Sequence, residues 1–256
     1  MVRKGFLLLG IAMLPFVLSS GASAQGRAGA PAGPATPRTA APVDLTGYWV
    51  AIISEDWRWR MITPAKGDFP SIPMTLEAQK AAEAWDPAKD EAAGEACRAY
   101  GAPGLMRGPT RLHITWQDDT TLKLESDYGM QTRLFKFGNA APASTGPRTW
   151  QGVTTAQWNI AGGGRGRGAQ RSGSLKTVTT QLRPGYLRKN GVPYSANTVY
   201  TEYWDVNTEE NGDKYLVVTN VVNDPTYLQA PWMTAIHFKK EADGSKFDPT
   251  PCDAKF

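Results

Sequence analysis

Short apolar runs separated by clusters of turn-forming residues recur along most of this chain, at the spacing of a β protein. Residues 48–53 are apolar at nearly every position, as in a strand buried on both faces. The next five, Trp57-Arg58-Trp59-Arg60-Met61, alternate with period two, which predicts a strand with Trp57, Trp59 and Met61 on one face and Arg58 and Arg60 on the other. Beyond Pro109 the pattern predicts strands at 111–116, 121–126 and 131–137, with Asp118-Asp119 and Asp127-Tyr128-Gly129 as the turns between them. Further strands are expected at 154–160, 174–182, 198–205, 215–222 and 233–240, and Asn211-Gly212-Asp213 marks a hairpin. Residues 75–85 read as a short helix, with Thr75 as N-cap, Glu77 in the first turn and Pro87 limiting it; 91–98 add a further turn or two. About ten strands against one substantial helix predict an all-β fold, an antiparallel barrel or sandwich, with one or two short helices.

The N-terminal segment has a different composition. Arg3-Lys4, an apolar run over 6–18 and Ala22-Ser23-Ala24 together read as a secretory signal peptide over residues 1–24, cleaved after Ala24. The apolar run is shorter than the roughly 20 residues that span a bilayer. No later segment is apolar enough to cross a membrane, and a periplasmic or secreted protein follows. Residues 25–43 are nearly all Ala, Pro, Gly, Arg and Thr and read as a disordered tether, which leaves 44–256 as a single β domain. Removal of Arg3 and Lys4 lowers the formal charge from +4 to +2, a balance that does not suit a nucleic-acid partner. Cys97 and Cys252 are the only cysteines. In an oxidising compartment they form one disulfide, the alternative being two free thiols.

Several segments carry a family resemblance: Cys97-Arg98-Ala99-Tyr100-Gly101 with Leu105-Met106, the stretch from Gly185-Tyr186-Leu187 through Pro193-Tyr194-Ser195, Thr201-Glu202-Tyr203-Trp204, and Asn223-Asp224-Pro225-Thr226-Tyr227 with Pro231-Trp232. Together they resemble a broad family of exported bacterial β-rich proteins, mostly uncharacterised, from about residue 44 to the end. That resemblance implies no reaction. Its members often carry His-Ser where Tyr194-Ser195 stands here, so a role for that histidine does not transfer. Asp44-Leu45-Thr46-Gly47-Tyr48-Trp49 is similar, through Gly47 and Trp49, to the opening of lipocalin-type (calycin) barrels, which implies a lipocalin-like antiparallel β-barrel of about ten strands.

Candidate chemistry is sparse. His113 and His237 are the only histidines, and each is a surface or structural histidine or a cavity group. Glu202 sits on one strand face with Thr198, Tyr200 and Trp204; there it is a general acid or base of raised pKa, or the structural partner of an arginine such as Arg133 or Arg60. No close His spacing supports a metal site, and the dinucleotide fingerprint, the phosphate-binding loop and the Gly-x-Ser-x-Gly elbow are absent, so no cofactor is expected. The run 162–168, rich in Gly and Arg, reads as a hairpin loop. Nine Trp and nine Tyr exceed what a barrel shell needs and suit an aromatic small-molecule pocket. Trp57, Trp59, Trp158, Tyr200 and Trp204 are its expected walls, with Arg58, Arg60 or Arg133 as anchors. The resulting expectation is a lipocalin-like binder of a partly apolar or aromatic ligand. The alternative is a cofactor-independent lyase, isomerase or hydrolase using Glu202, His113 or His237 with an arginine.

Overall fold

A computed structural model describes residues 35–54, 57–138, 146–160 and 172–255. Its core is a closed barrel of nine strands: β1 (Gly47–Ala51), β2 (Arg111–Trp116), β3 (Thr121–Ser126), β4 (Thr132–Phe137), β5 (Val153–Ile160), β6 (Gly173–Thr180), β9 (Val199–Thr208), β10 (Lys214–Asn223) and β11 (Trp232–Lys240). A separate two-stranded hairpin, β7 (Gly185–Tyr186) with β8 (Pro193–Tyr194), stands outside the barrel. Around the barrel the order is β1-β11-β10-β9-β6-β5-β4-β3-β2, closed by β1 pairing with both β2 and β11.

Two expectations are corrected by this topology. Pairing is mixed, not wholly antiparallel, because β4 and β5 run parallel, with Phe135 opposite Thr154 and Phe137 opposite Ala156. The barrel has nine strands, because the stretch expected as a strand from Trp57 is instead a single helical turn, α1 (Trp57–Arg60). There Arg60 is buried and Arg58 exposed, so the two do not share an environment. Arg60 explains the departure: its Nε donates to Arg107 O at 3.1 Å and its Nη1 to Ile52 O at 2.7 Å. These contacts fix the turn where five alternating residues fit strand or helix equally well.

Alternation sets the barrel wall. In β9 Tyr200, Glu202 and Trp204 are buried between more exposed neighbours, and β10 does the same with Leu216, Val218, Asn220 and Val222. The inward set fills the interior: Trp49, Leu112, Ile114, Leu124, Phe135, Leu175, Trp204, Val218 and Phe238 are all fully buried and form one cluster. At one end Trp116, Phe137 and Trp158 pack as a plug, with ring centroids 5.3–6.4 Å apart. Trp158 Nε1 donates to Pro37 O at 2.8 Å, and Arg38 N to Asp119 O at 3.1 Å. The packed chain therefore begins before the boundary expected at residue 44. Residues 1–34, with the expected signal segment, and the Gly/Arg run at 162–168 lie outside the described residues.

The other end carries a cap. It contains α2 (Leu76–Glu83), α3 (Pro87–Ala92), a 3-10 turn at Ala96–Tyr100, α4 (Ala102–Leu105) and the β7–β8 hairpin. Thr75 caps α2 by accepting from Ala78 N, and Asp86 caps α3 by accepting from Ala88 N with Pro87 at the first helical position. Ala78 and Ala82 of α2 enter a second cluster with Leu187, Val192, Tyr194, Tyr200, Val222 and Trp232. Tyr200 and Trp232 thus belong both to the barrel wall and to the floor of the cap. Cys97 and Cys252 are joined in a disulfide that ties the C-terminal segment to the 3-10 turn. None of the helices among the described residues is long and apolar enough to cross a membrane.

Candidate functional site

The barrel interior holds a sealed polar network. Arg133 from β4 and Glu202 from β9 are 0 % exposed, and the guanidinium donates to both carboxylate oxygens, at 2.8 Å and 2.5 Å. Thr177 Oγ1 donates to Glu202 at 2.9 Å, Trp204 Nε1 to Thr177 at 3.2 Å, and Arg133 to Thr179 at 3.3 Å. Burial works against the charge of Arg133, and the Glu202 carboxylate more than offsets it, so the guanidinium is held above its ordinary range. Tyr200 is pushed well up, first by burial and then by the Glu202 charge, and donates to Asn220 Oδ1 at 2.5 Å. Every ionisable member is occupied by a neighbour, the geometry of a structural pair.

The residues expected at one site are dispersed. His113 lies on the outer face of β2, stacked on Tyr48 with centroids 4.2 Å apart and Nδ1 3.4 Å from Glu125. His237 occupies the half-buried outward register between buried Ile236 and Phe238 of β11. Both histidines are therefore separated from Glu202 by the barrel wall. Trp204 packs against Phe135 in the filled core, and Trp158 belongs to the plug. Arg58 pairs with Asp68 at 3.2 Å on the surface. The side chains of Trp57 and Trp59 lie outside the described residues.

What converges instead is the cap. An open cleft of about 280 Å³ runs between the α2–α3 corner and the β7–β8 hairpin. Trp85, Tyr186, Tyr194 and Tyr227 give it aromatic walls, and Lys89, Asp90 and Arg98 give it charge. Asp90 is the hub: it accepts Arg98 Nη1 at 3.0 Å and the Tyr186 hydroxyl at 2.8 Å, and Arg98 lies 4.7 Å from the Tyr186 ring centroid. Burial, reinforced by the bond to Asp90, pushes the Tyr186 phenol far above neutrality and keeps it a donor. Burial does the same to Tyr194. Its hydroxyl is wedged against Gly101 and Gly185, where an added Cβ would lie 2.1 Å and 2.6 Å away. Gly191 turns the hairpin at φ +85°, and its bare Cα lets Trp85 close over it.

The corner that presents Tyr227 is held by one carboxylate. Asp224, buried, accepts from Ser195 N, Ser195 Oγ, Thr198 Oγ1, Thr226 N and Tyr227 N at 2.5–3.2 Å. Ser195 Oγ also accepts from Asn197 N at 3.1 Å, so its hydroxyl is engaged as donor and acceptor in this clasp. A second, smaller cleft is lined by Arg60, Arg107, Arg188, Lys189 and Tyr128. The Arg107 and Arg188 guanidinium carbons lie 5.2 Å and 5.7 Å from the Trp232 ring centroid. Burial pushes the Lys189 amine down to about 7 and the Tyr100 phenol up to about 12.

Trp85, Asp90, Tyr227 and the Arg107–Lys189 cluster are not among the residues expected to form a site in the lumen. The available signal was the set of segments that carried the family resemblance: Arg98, Gly185, Tyr186, Pro193, Tyr194 and Tyr227 come from them and line one cleft. Among the described residues no group of three His, Cys, Asp or Glu side chains could hold a metal ion. The described residues form a closed, mixed nine-strand barrel filled by side chains, with a cap over one end. Comparison with protein-family models, with curated proteins and with solved structures returned no match.

Proposed function

We propose that this chain is an exported small-molecule-binding protein whose ligand docks in the cap cleft between the α2–α3 corner and the β7–β8 hairpin, outside the barrel. The carrying observation is the cleft itself, about 280 Å³ with four aromatic walls around the Asp90–Arg98–Tyr186 hub. That is just below the volume of ordinary small-ligand pockets, with aromatic walls around fixed polar groups that would orient a small ligand. The lining is charge-balanced, with Arg98 on Asp90 at 3.0 Å and Lys89 3.9 Å from Asp86; the exposed ammonium of Lys89, in so long a pair, is the group left to meet an anionic end on an aromatic or apolar ligand. Cleavage after Ala24 and a periplasmic or secreted destination belong to the same reading, supported by the Cys97–Cys252 disulfide, which oxidising compartments preserve.

The test is a thermal-shift and tryptophan-fluorescence screen of aromatic carboxylates against the intact, disulfide-bonded chain. Saturable binding that is lost in Tyr227→Ala, with the fold retained by circular dichroism, supports the proposal. Binding that survives Tyr227→Ala, or none across the panel, contradicts it. An acid–base centre that joins Glu202 to a histidine is not favoured, because Glu202 faces Arg133 inside the wall while His113 and His237 lie outside it.

A further inference from the structure

The disulfide lies one residue from the cap cleft. Cys97 belongs to the 3-10 turn Ala96–Tyr100, and its neighbour Arg98 donates to Asp90, which also takes the Tyr186 hydroxyl. Cys252 belongs to the segment after β11, which runs along the outside of the barrel to the cap. On the way Phe247 meets the Tyr48 ring edge-on, with centroids 5.8 Å apart, and Thr250 N donates to Asp127 O at 2.8 Å. At the cap the disulfide is the covalent tie; beside it the Tyr100 hydroxyl accepts from Asp253 N at 3.1 Å. Both cysteines are half-buried, so a thiol can approach them from solvent. A donor is aimed at the two sulfurs. Gln131 Nε2 stands 3.4 Å from Cys252 Sγ and 3.8 Å from Cys97 Sγ. Its orientation is set on both sides, since Nε2 also donates to Gly129 O at 2.5 Å and Gln131 Oε1 accepts from Gln151 Nε2 at 2.9 Å. An amide N–H gains little from a disulfide sulfur, a weak acceptor, and much more from the thiolate that reduction releases. The arrangement therefore favours opening of the bond over a purely apolar setting.

We propose that the Cys97–Cys252 disulfide is a redox latch on the cap cleft: a dithiol opens it, the turn that carries Arg98 loosens from the Asp90–Tyr186 hub, and ligand affinity falls. The affinity part rests on the cap-cleft reading above; the loosening does not. One thiolate of the dithiol attacks Cys97 Sγ, the Cys97–Cys252 bond breaks, and its electron pair goes to Cys252 Sγ, the sulfur nearer the Gln131 amide. The second thiol of the reductant, losing its proton, then attacks the mixed disulfide and releases Cys97. Two electrons and two protons pass to the protein, and the dithiol leaves as its own disulfide. What remains at the turn is non-covalent: Gln151 Nε2 to Tyr100 O at 2.8 Å, Ala102 N to Trp150 O at 3.0 Å and the Tyr100–Asp253 contact. The first two lead to the barrel side and hold neither Arg98 nor Cys97. The hub is thus the part of the cap that the latch controls.

The test compares the intact chain with and without dithiothreitol, well below its melting temperature, by hydrogen exchange and by fluorescence titration with the tightest-binding aromatic carboxylate of the screen. Reduction should speed exchange in the segments carrying Asp90 and Arg98 and in the Gly185–Tyr194 hairpin about five-fold or more, beyond any change in β9, and should weaken the carboxylate by a similar factor. By reciprocity, saturating carboxylate should raise the dithiol-to-disulfide ratio needed for half-reduction by that same factor. Cys97→Ser with Cys252→Ser should reproduce the reduced chain and ignore dithiothreitol. Glu202→Gln, which weakens the barrel with the latch closed, should leave the affinity unchanged. Gln131→Met should slow reduction about five-fold, because the leaving thiolate loses its donor. Unchanged cap exchange after reduction would overturn the latch. So would equal acceleration in the cap and in β9, since the disulfide would then be a staple of the whole fold. Faster cap exchange with unaltered affinity would overturn its control of the cleft, and reduction of Gln131→Met at the parent rate would overturn the role of the amide. Exchange needs no ligand, so a screen without a binder counts against the cleft reading and still leaves the latch to be judged.

Discussion

Replacing Glu202 by Gln separates a structural barrel core from an acid–base centre. The substitution keeps the shape of the side chain and removes the charge that faces Arg133, both partners being 0 % exposed. Arg133 then keeps Thr179 and the carbonyl of the new amide but has no counter-charge, in a site packed by Phe135 and Tyr200 at 4.9 Å and 5.6 Å from its guanidinium carbon. Removing one partner of such a buried pair costs about 3–5 kcal/mol, because the remaining charge cannot reach water. At about 2–4 °C per kcal/mol for a domain of this size, Tm should fall by roughly 6–20 °C. The double change Arg133→Met with Glu202→Leu removes both charges at similar volume and should recover most of the loss, to within about 2 kcal/mol of the parent. Equilibrium urea unfolding, followed by tryptophan fluorescence with the disulfide intact, measures both. A Glu202→Gln loss below about 1 kcal/mol at unchanged m value would refute the reasoning, because the pair would then lack the strong coupling that its burial requires.

The disulfide closes a loop with a sequence separation of 155, so Cys97→Ser with Cys252→Ser should lower stability by up to about 5 kcal/mol in denaturant titration. Gly191→Ala must hold φ at +85° and place a Cβ 2.2 Å from that of Trp85; a loss of about 2–3 kcal/mol is expected, with weakened ligand affinity as Trp85 is displaced, read by urea unfolding and fluorescence titration. Lys189 gives a pH signature. The unfolded chain holds its proton up to about 10.5 and the folded one releases it near 7, so between those values the unfolded state binds more protons. The Lys189 contribution to stability should therefore increase as pH rises from 7 toward 10, and a Lys189→Met chain should lack that rise in parallel denaturation curves.

Strand positions were legible where alternation was clean and long enough. In β2 Leu112 and Ile114 alternate with Arg111, His113 and Thr115, and the expected limits match the observed ones. The Trp57–Arg60 stretch failed for the opposite reason: too few residues to set a period, and two hydrogen bonds from Arg60 to distant carbonyls that no local pattern reports. The parallel β4–β5 pairing was invisible too, since side-chain alternation does not encode strand direction. Glu202 shows how far the site could be read. Its strand face and aromatic neighbours were evident, and Arg133 was one of the arginines considered. Whether the lumen is hollow was not, because that depends on how the summed volumes of Trp49, Trp204, Phe135 and Phe238 fill the closed barrel. The cap cleft escaped notice because its walls come from turns and short helices, where residues such as Trp85 and Tyr227 have no periodic signature.

Hydrogen exchange with and without a saturating ligand from the carboxylate screen tests most directly whether binding occurs on the cap or in the barrel. Binding at the cap predicts slowed exchange in the segments carrying Trp85, Asp90 and Arg98 and in the Gly185–Tyr194 hairpin, with Glu202, Trp204 and the rest of β9 unchanged. Protection centred on β9, β4 and β6, with the cap unchanged, would put the ligand inside the barrel and contradict the proposal.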